Sequence, residues 1–71
     1  MTDKAFDEVT SLRLRLDEMR LEHRDLDDAI VSLAASPTGD ELMLRRLKKR
    51  KLALKDRIIA IEQMLSPDER A

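Results

Sequence analysis

The chain has 71 residues, of which 41% are charged and 1% aromatic, and its formal net charge at pH 7 is −1. This length allows one small domain, and a Leu/Lys/Glu/Arg-rich composition favours long solvated helices over sheets. The chain contains no cysteine, which excludes disulfides, so self-association is the remaining way to support so small a scaffold.

An apolar heptad repeat predicts helix 1 over about residues 3–35. With Val9 at position a, the seam positions are Val9, Leu12, Leu16, Met19, His23, Leu26, Ile30 and Leu33. Spacings of three and four residues keep one stripe of a helix facing one neighbour, whereas a strand would need alternation by two. Because Pro37 disfavours a helical conformation at Ser36, helix 1 should end by Ala35.

The break at Ser36–Gly39 predicts a loop over residues 36–38 and a second helix over about residues 39–65. Thr38 and Glu41 have the spacing of a capping box, which would place the start of helix 2 directly after Thr38. Ser66 and Pro67 should end this helix, leaving residues 66–71 as a frayed tail. The seam positions of helix 2 are Leu44, Leu47, Lys51, Leu54, Ile58, Ile61 and Leu65.

The two repeats are mirror images about the loop, which predicts an all-α fold, a two-helix antiparallel coiled-coil hairpin. Residues that face each other should have numbers that sum to about 77, so that each a position meets a d position. The predicted layers are Leu33–Leu44, Ile30–Leu47, Leu26–Lys51, His23–Leu54, Met19–Ile58, Leu16–Ile61 and Leu12–Leu65. The same register predicts the ion pairs Asp27–Lys48, Glu22–Arg57 and Arg13–Glu62, and the like-charged neighbours Arg20 and Lys55.

Large apolar residues lie off the seam in greater number than two helices can cover. They are Phe6, Leu14, Leu21, Val31, Leu42, Met43, Leu52, Ile59 and Met64. Leu14 and Leu21 share one heptad position on the back of helix 1, and Leu52 and Ile59 share another on the flank of helix 2. Single exposed apolar residues are normal, but repeats at heptad spacing indicate an interface. We therefore predict that these four residues contact a partner or a second copy, and that hairpins assemble into a helical bundle.

A basic segment, Arg45–Lys51, contains six cations in seven residues, a pattern that suggests nucleic-acid binding. Helical geometry turns only Arg45, Arg46 and Lys49 clearly outward, which makes them the candidate phosphate contacts. The negative net charge and the lack of an aromatic residue in this segment favour a solvated charged face instead. Nucleic-acid or ribosome association is therefore the second hypothesis.

His23 and Lys51 are the two polar residues of the seam. Polar residues at such positions fix register and oligomeric state at some cost in stability, and a lysine can bury its stem while its ammonium reaches water. His23 and Asp27 supply only two potential metal ligands on one face, too few for a site. No catalytic, cofactor-binding or metal-binding residues are predicted, and the leading hypothesis is a non-enzymatic interaction module with a larger protein partner.

Two sequence blocks resemble those of the YdcH-type family of small bacterial proteins. His-x-x-Leu-Asp stands at His23–Asp27, and Leu-Lys-Lys-x-Lys-Leu-x-Leu-Lys-Asp stands at Leu47–Asp56. The resemblance covers about 65 residues. It implies a bacterial cytoplasmic helical hairpin of undefined biochemical role, without catalytic residues.

The distribution of apolar residues also bears on location. The amino terminus has no apolar core of signal-peptide length, and no segment approaches about 18 consecutive apolar residues. We expect a soluble cytoplasmic protein that acts without a membrane or cofactor.

Overall fold

The computed structural model describes residues 4–65, with side chains from residue 7 onward. Helix α1 spans Lys4–Ala35 and helix α2 spans Glu41–Leu65, and no strand occurs within residues 4–65. The two helices pack against each other as a hairpin, which confirms the predicted fold class. The predicted start at residue 3 and the predicted tail lie outside the described residues.

A single seam of apolar side chains holds α1 and α2 together. Its buried members are Leu16, Met19, Leu26, Ile30, Leu54, Ile58 and Ile61, and the partly buried residues packed against them are Leu12, Leu47 and Leu65. All of these were predicted seam residues, as the heptad spacing requires. Even the best-buried of them retain 6% of their exposure, because one layer of two helices leaves both sides of the seam open to solvent.

Val9 is the exception to the predicted seam. It is 43% exposed, so its assignment to the seam is wrong. Helix α2 ends at Leu65, which forms the last layer with Leu12 in the predicted register. Val9 lies one layer further along α1, where no described residue of α2 lies opposite it.

The connection between the helices is a turn built on Ser36 and Pro37. The amide of Gly39 donates to the carbonyl oxygen of Ser36 over 3.1 Å, and Pro37 occupies the second position, where its fixed φ suits the turn. The amide of Thr38 donates to Oγ of Ser36 over 3.3 Å. A Cβ at Gly39 would lie 2.5 Å from the carbonyl oxygen of Leu33. Glycine is therefore required there by the close approach of backbone.

Helix α2 is capped by Asp40. Oδ1 of Asp40 accepts hydrogen bonds from the amides of Leu42 at 2.9 Å and Met43 at 3.3 Å, two groups that have no partner within the helix itself. The predicted capping box of Thr38 and Glu41 is wrong, because Thr38 is taken up by the turn. Helix α2 consequently begins at Glu41, two residues later than predicted, and the connection covers residues 36–40.

Candidate interaction surfaces

Off-seam apolar side chains are exposed along both helices, as predicted. Their exposed fractions range from 41% to 66%, and the residues are Leu14, Leu21, Val31, Leu42, Met43, Leu52, Ile59 and Met64. The remaining predicted member, Phe6, lies outside the described side chains. Their exposure makes these residues the candidates for contact with another molecule.

Two apolar stripes stand out among these residues because each repeats after seven positions, or two helical turns. The back stripe is Leu14 and Leu21 on α1, 59% and 58% exposed, and the flank stripe is Leu52 and Ile59 on α2, 66% and 41% exposed. The back stripe faces away from α2, whereas the flank stripe points to one side of the hairpin. A partner bound to one stripe would therefore leave the other free.

Each broad side of the hairpin carries an open groove along the seam. One groove is lined by Arg13, Leu16, Asp17, Arg20, Glu62, Gln63 and Leu65. The other, here called the mixed-charge groove, is lined chiefly by Arg15, Glu18 and Glu22 of α1 and by Arg50, Ala53 and Arg57 of α2. Sequence reasoning missed this second surface because it considered charges only as pairs within one chain. Reading the charges by heptad position would have found it.

Three ion pairs link α1 to α2 among residues 7–65. They are Arg20–Glu62 at 2.7 Å, Arg50–Glu22 at 3.0 Å and Lys51–Asp27 at 2.7 Å. The first two join exposed side chains, and pairs of that kind contribute about 0–1 kcal/mol each. They stabilise the register more than the fold.

None of the three ion pairs was predicted with the correct partner. In each, the observed cation lies one or two helical turns from the predicted one, because a long side chain can reach along the rod as well as straight across it. Arg20 illustrates the consequence. The predicted register placed it beside Lys55, and its guanidinium instead bonds a carboxylate further along α2.

The polar seam residues His23 and Lys51 are both half-buried. The side chain of Lys51 is 32% exposed, and its Nζ lies 2.7 Å from Oδ1 of Asp27, so its ammonium reaches the edge of the seam as its length predicts. The hydrogen bond from Lys51 and its charge lower the pKa of Asp27, and the charge of His23 acts weakly in the same direction. A role for either residue in setting the register stays a prediction.

The three candidate phosphate contacts, Arg45, Arg46 and Lys49, are exposed. None takes part in the ion pairs found within the described region, whereas two other cations of the basic segment are held by acids of α1. The segment therefore presents a smaller positive patch than its composition suggests. Phosphate contact remains a prediction.

Two kinds of feature are absent from residues 4–65. No three His, Asp or Glu side chains lie close enough together there to hold a metal ion. Neither α1 nor α2 has an apolar stretch long enough to cross a bilayer.

Comparison with known protein families places the chain beside one of unknown function. The model of a family described as "Protein of unknown function (DUF465)" matches residues 16–62, about two thirds of the chain. The matched range includes both blocks that resemble the YdcH-type family, and this confirms the resemblance because the YdcH-type proteins are a DUF465 family. No curated protein and no solved structure matches the chain.

Proposed function

The chain belongs to the DUF465 family of proteins of unknown function. For this chain we propose a non-enzymatic coiled-coil module that self-associates and docks on a larger protein. The observation that carries the proposal is the exposure of the back and flank stripes, at 41% to 66%. Heptad spacing gives each stripe the pattern that a partner helix recognises.

The energetics of the stripes fit a docking role. Burying a large aliphatic side chain fully is worth about 1.5–3 kcal/mol, so covering the exposed half of two such residues contributes roughly 2 kcal/mol. Association also costs several kcal/mol in lost freedom of motion. One stripe therefore biases the position of a partner, and the surrounding surface must supply the rest of the affinity.

The shape of the hairpin supports action through its outer surface. Sites for small molecules are concave and bury most of their ligand, whereas both grooves of the hairpin are open and lined largely by charged side chains. Extended helical surfaces of this type suit contact with another protein.

The stripes are tested by replacing each with glutamine. We expect L14Q/L21Q or L52Q/I59Q to abolish the recovery of a companion protein that the wild type captures reproducibly in cross-linking and affinity purification from the native host. Lys49 and Lys55 are exposed and should carry cross-links, and Lys4, also expected to do so, lies outside the described side chains. The matched control is V31Q/L42Q, which removes two exposed apolar residues outside the stripes.

Sedimentation equilibrium at micromolar concentration tests self-association separately. A well-folded wild-type monomer would remove that part of the proposal. Companion recovery that is the same for both stripe variants and the control would remove docking through the stripes.

Nucleic-acid binding is the second candidate, and the exposure of Arg45, Arg46 and Lys49 favours it. Binding to duplex DNA should then weaken by roughly 0.9 log units per log unit of salt for each phosphate neutralised. The variant R45Q/K49Q should reduce that slope, whereas K55Q should not. No retention on DNA or RNA at about 50 mM salt would reject this candidate, because such binding is strongest at low salt.

A further inference from the structure

We propose that a second copy of this chain covers the mixed-charge groove, with α1 of each copy stacked on α2 of the other in a four-helix bundle. The proposal rests on the self-association part of the proposed function. It assigns self-association to a surface distinct from the two apolar stripes, which then remain open to a different protein.

Charge is segregated between the two edges of this groove. Among the side chains described from residue 7 onward, the heptad positions that line it place on α1 the acids Glu8, Glu18, Glu22 and Asp25 and one base, Arg15. The same positions place on α2 the bases Arg46, Arg50 and Arg57, and no acid within Glu41–Leu65. One edge is therefore acidic and the other basic in the middle of the hairpin, where Arg50 and Arg57 lie level with Glu18, Glu22 and Asp25.

The hairpin neutralises only part of this charge itself. Arg50 bonds Glu22 across the groove at 3.0 Å, with both side chains still largely in solvent at 67% and 45% exposed. Glu18 and Arg57 also line the groove, but they form no ion pair among the described residues. Opposite charges thus remain available on the two edges.

A two-fold axis parallel to the helices brings these edges together. It stacks α1 of one copy on α2 of the other at the same level of the rod. The acidic edge of each copy then meets the basic edge of the other, giving the two equivalent contacts of a closed symmetric dimer. In the register of the hairpin, Arg57 of one copy comes level with the space between Glu18 and Glu22 of the other. An axis perpendicular to the helices would instead place acid on acid, which disfavours it.

The floor and the size of the groove also suit a second copy. Ala53 and Ala60 are small residues on α2 that allow helices to approach within the usual 8–10 Å, and Met43 and Met64 near the ends of α2, 43% and 61% exposed, can adapt to a neighbour. The principal dimensions are 56 × 30 × 14 Å, so a broad face exceeds the roughly 800 Å² that each partner contributes to a standard interface. A second layer would also cover the seam from one side, as in most domains.

Charge reversal on one edge at a time tests the proposal. The acidic-edge variant E18R/D25R makes both edges basic, and the basic-edge variant R46E/R57E makes both acidic; both leave the bond between Arg50 and Glu22 intact. We expect each variant alone to raise the dimer dissociation constant at least about tenfold in sedimentation equilibrium. An equimolar mixture should form heterodimers, visible by native mass spectrometry, because opposite edges then face each other again.

The matched control is D17R/D28R, which changes the net charge of α1 by the same amount as E18R/D25R, at exposed positions outside the mixed-charge groove. Because it alters no contact of the interface, the dimer dissociation constant should stay within about twofold of the wild type. Circular dichroism establishes that each variant is folded, and the mixing experiment requires both. Unchanged dimers in both edge variants, or no heterodimer on mixing, would overturn the proposal. If L52Q/I59Q weakens the dimer and the charge reversals on the two edges do not, the proposal is overturned too, while the proposed function stands. A monomeric wild type would reject self-association itself.

Discussion

Replacing Asp40 with alanine should destabilise the hairpin, whereas the same change at Thr38 should not. Asp40 accepts two amide hydrogen bonds, at 2.9 and 3.3 Å, of which the first has ideal length. Loss of an N-cap of this kind costs about 0.5–2 kcal/mol, and loss of a carboxylate at the positive end of α2 adds to it. We expect about 1–2 kcal/mol for D40A and less than about 0.5 kcal/mol for T38A, a turn residue on the surface.

Thermal denaturation followed by circular dichroism provides the assay. For a domain of this size, 1 kcal/mol shifts Tm by about 4–8 °C, so D40A should melt roughly 5–15 °C below the wild type at the same protein concentration. The variant D40N keeps the side-chain acceptor and should recover most of the loss. A T38A variant that melts as low as D40A would refute the reasoning and restore the capping box at Thr38.

Three further predictions concern the turn, the seam and the ion pair of Lys51. G39A should destabilise the hairpin by at least about 1 kcal/mol because its Cβ would meet a backbone oxygen at 2.5 Å; urea denaturation showing no loss would contradict this. I58A should lower the free energy of unfolding by about 2–4 kcal/mol and I59A by less than half as much, since the exposed fractions of the two side chains are 6% and 41%. Equal losses in urea denaturation would contradict the assignment of Ile58 to the seam. The pKa of Asp27 is lower in the folded chain than in the unfolded one, so the contribution of Asp27 to stability should be complete above about pH 4 and fall as the pH drops below that value. In urea denaturation, the midpoint of a D27N variant should lack this decline. An identical decline in D27N and the wild type would contradict the assignment.

The seam could be predicted from the sequence because spacing alone decides which residues of a helix share a face. Leu16 and Ile61 lie where the repeat placed them, at 6% and 8% exposed. Val9 fits the same repeat yet is exposed, because a repeat on one helix cannot show where the opposing helix stops. The end of the seam on α1 is therefore set by the end of α2.

The cap and the ion pairs were harder to predict, for different reasons. Thr38 and Asp40 are both good cap residues, and only the turn between the helices decides which of them reaches the start of α2. Pro37 in the second position of that turn is the signal that favours Asp40. For the ion pairs, a guanidinium such as that of Arg20 can reach acids on neighbouring turns. The position of a residue along the rod therefore did not specify its partner.

The apolar stripes were predictable from the sequence, whereas the mixed-charge groove was harder to predict. Exposure of Leu52 and Ile59 was predictable because any large apolar residue off the seam of two helices has nothing to cover it. The mixed-charge groove needs both helices to be placed side by side, since its acids and bases are far apart in the sequence. The heptad positions of the two helices therefore have to be read together before the acidic and basic edges become apparent.

The short turn at residues 36–40 has a consequence for the order in which the hairpin forms. The seam layers next to it join residues close in sequence, whereas the layer of Leu12 and Leu65 joins the two far ends of the chain. Because loop-closure entropy grows with the separation of the joined residues, the helices should zip from the turn outward once the first layers meet. Changes at the turn should then alter the folding rate, and changes at the open end should mainly alter the rate of unfolding.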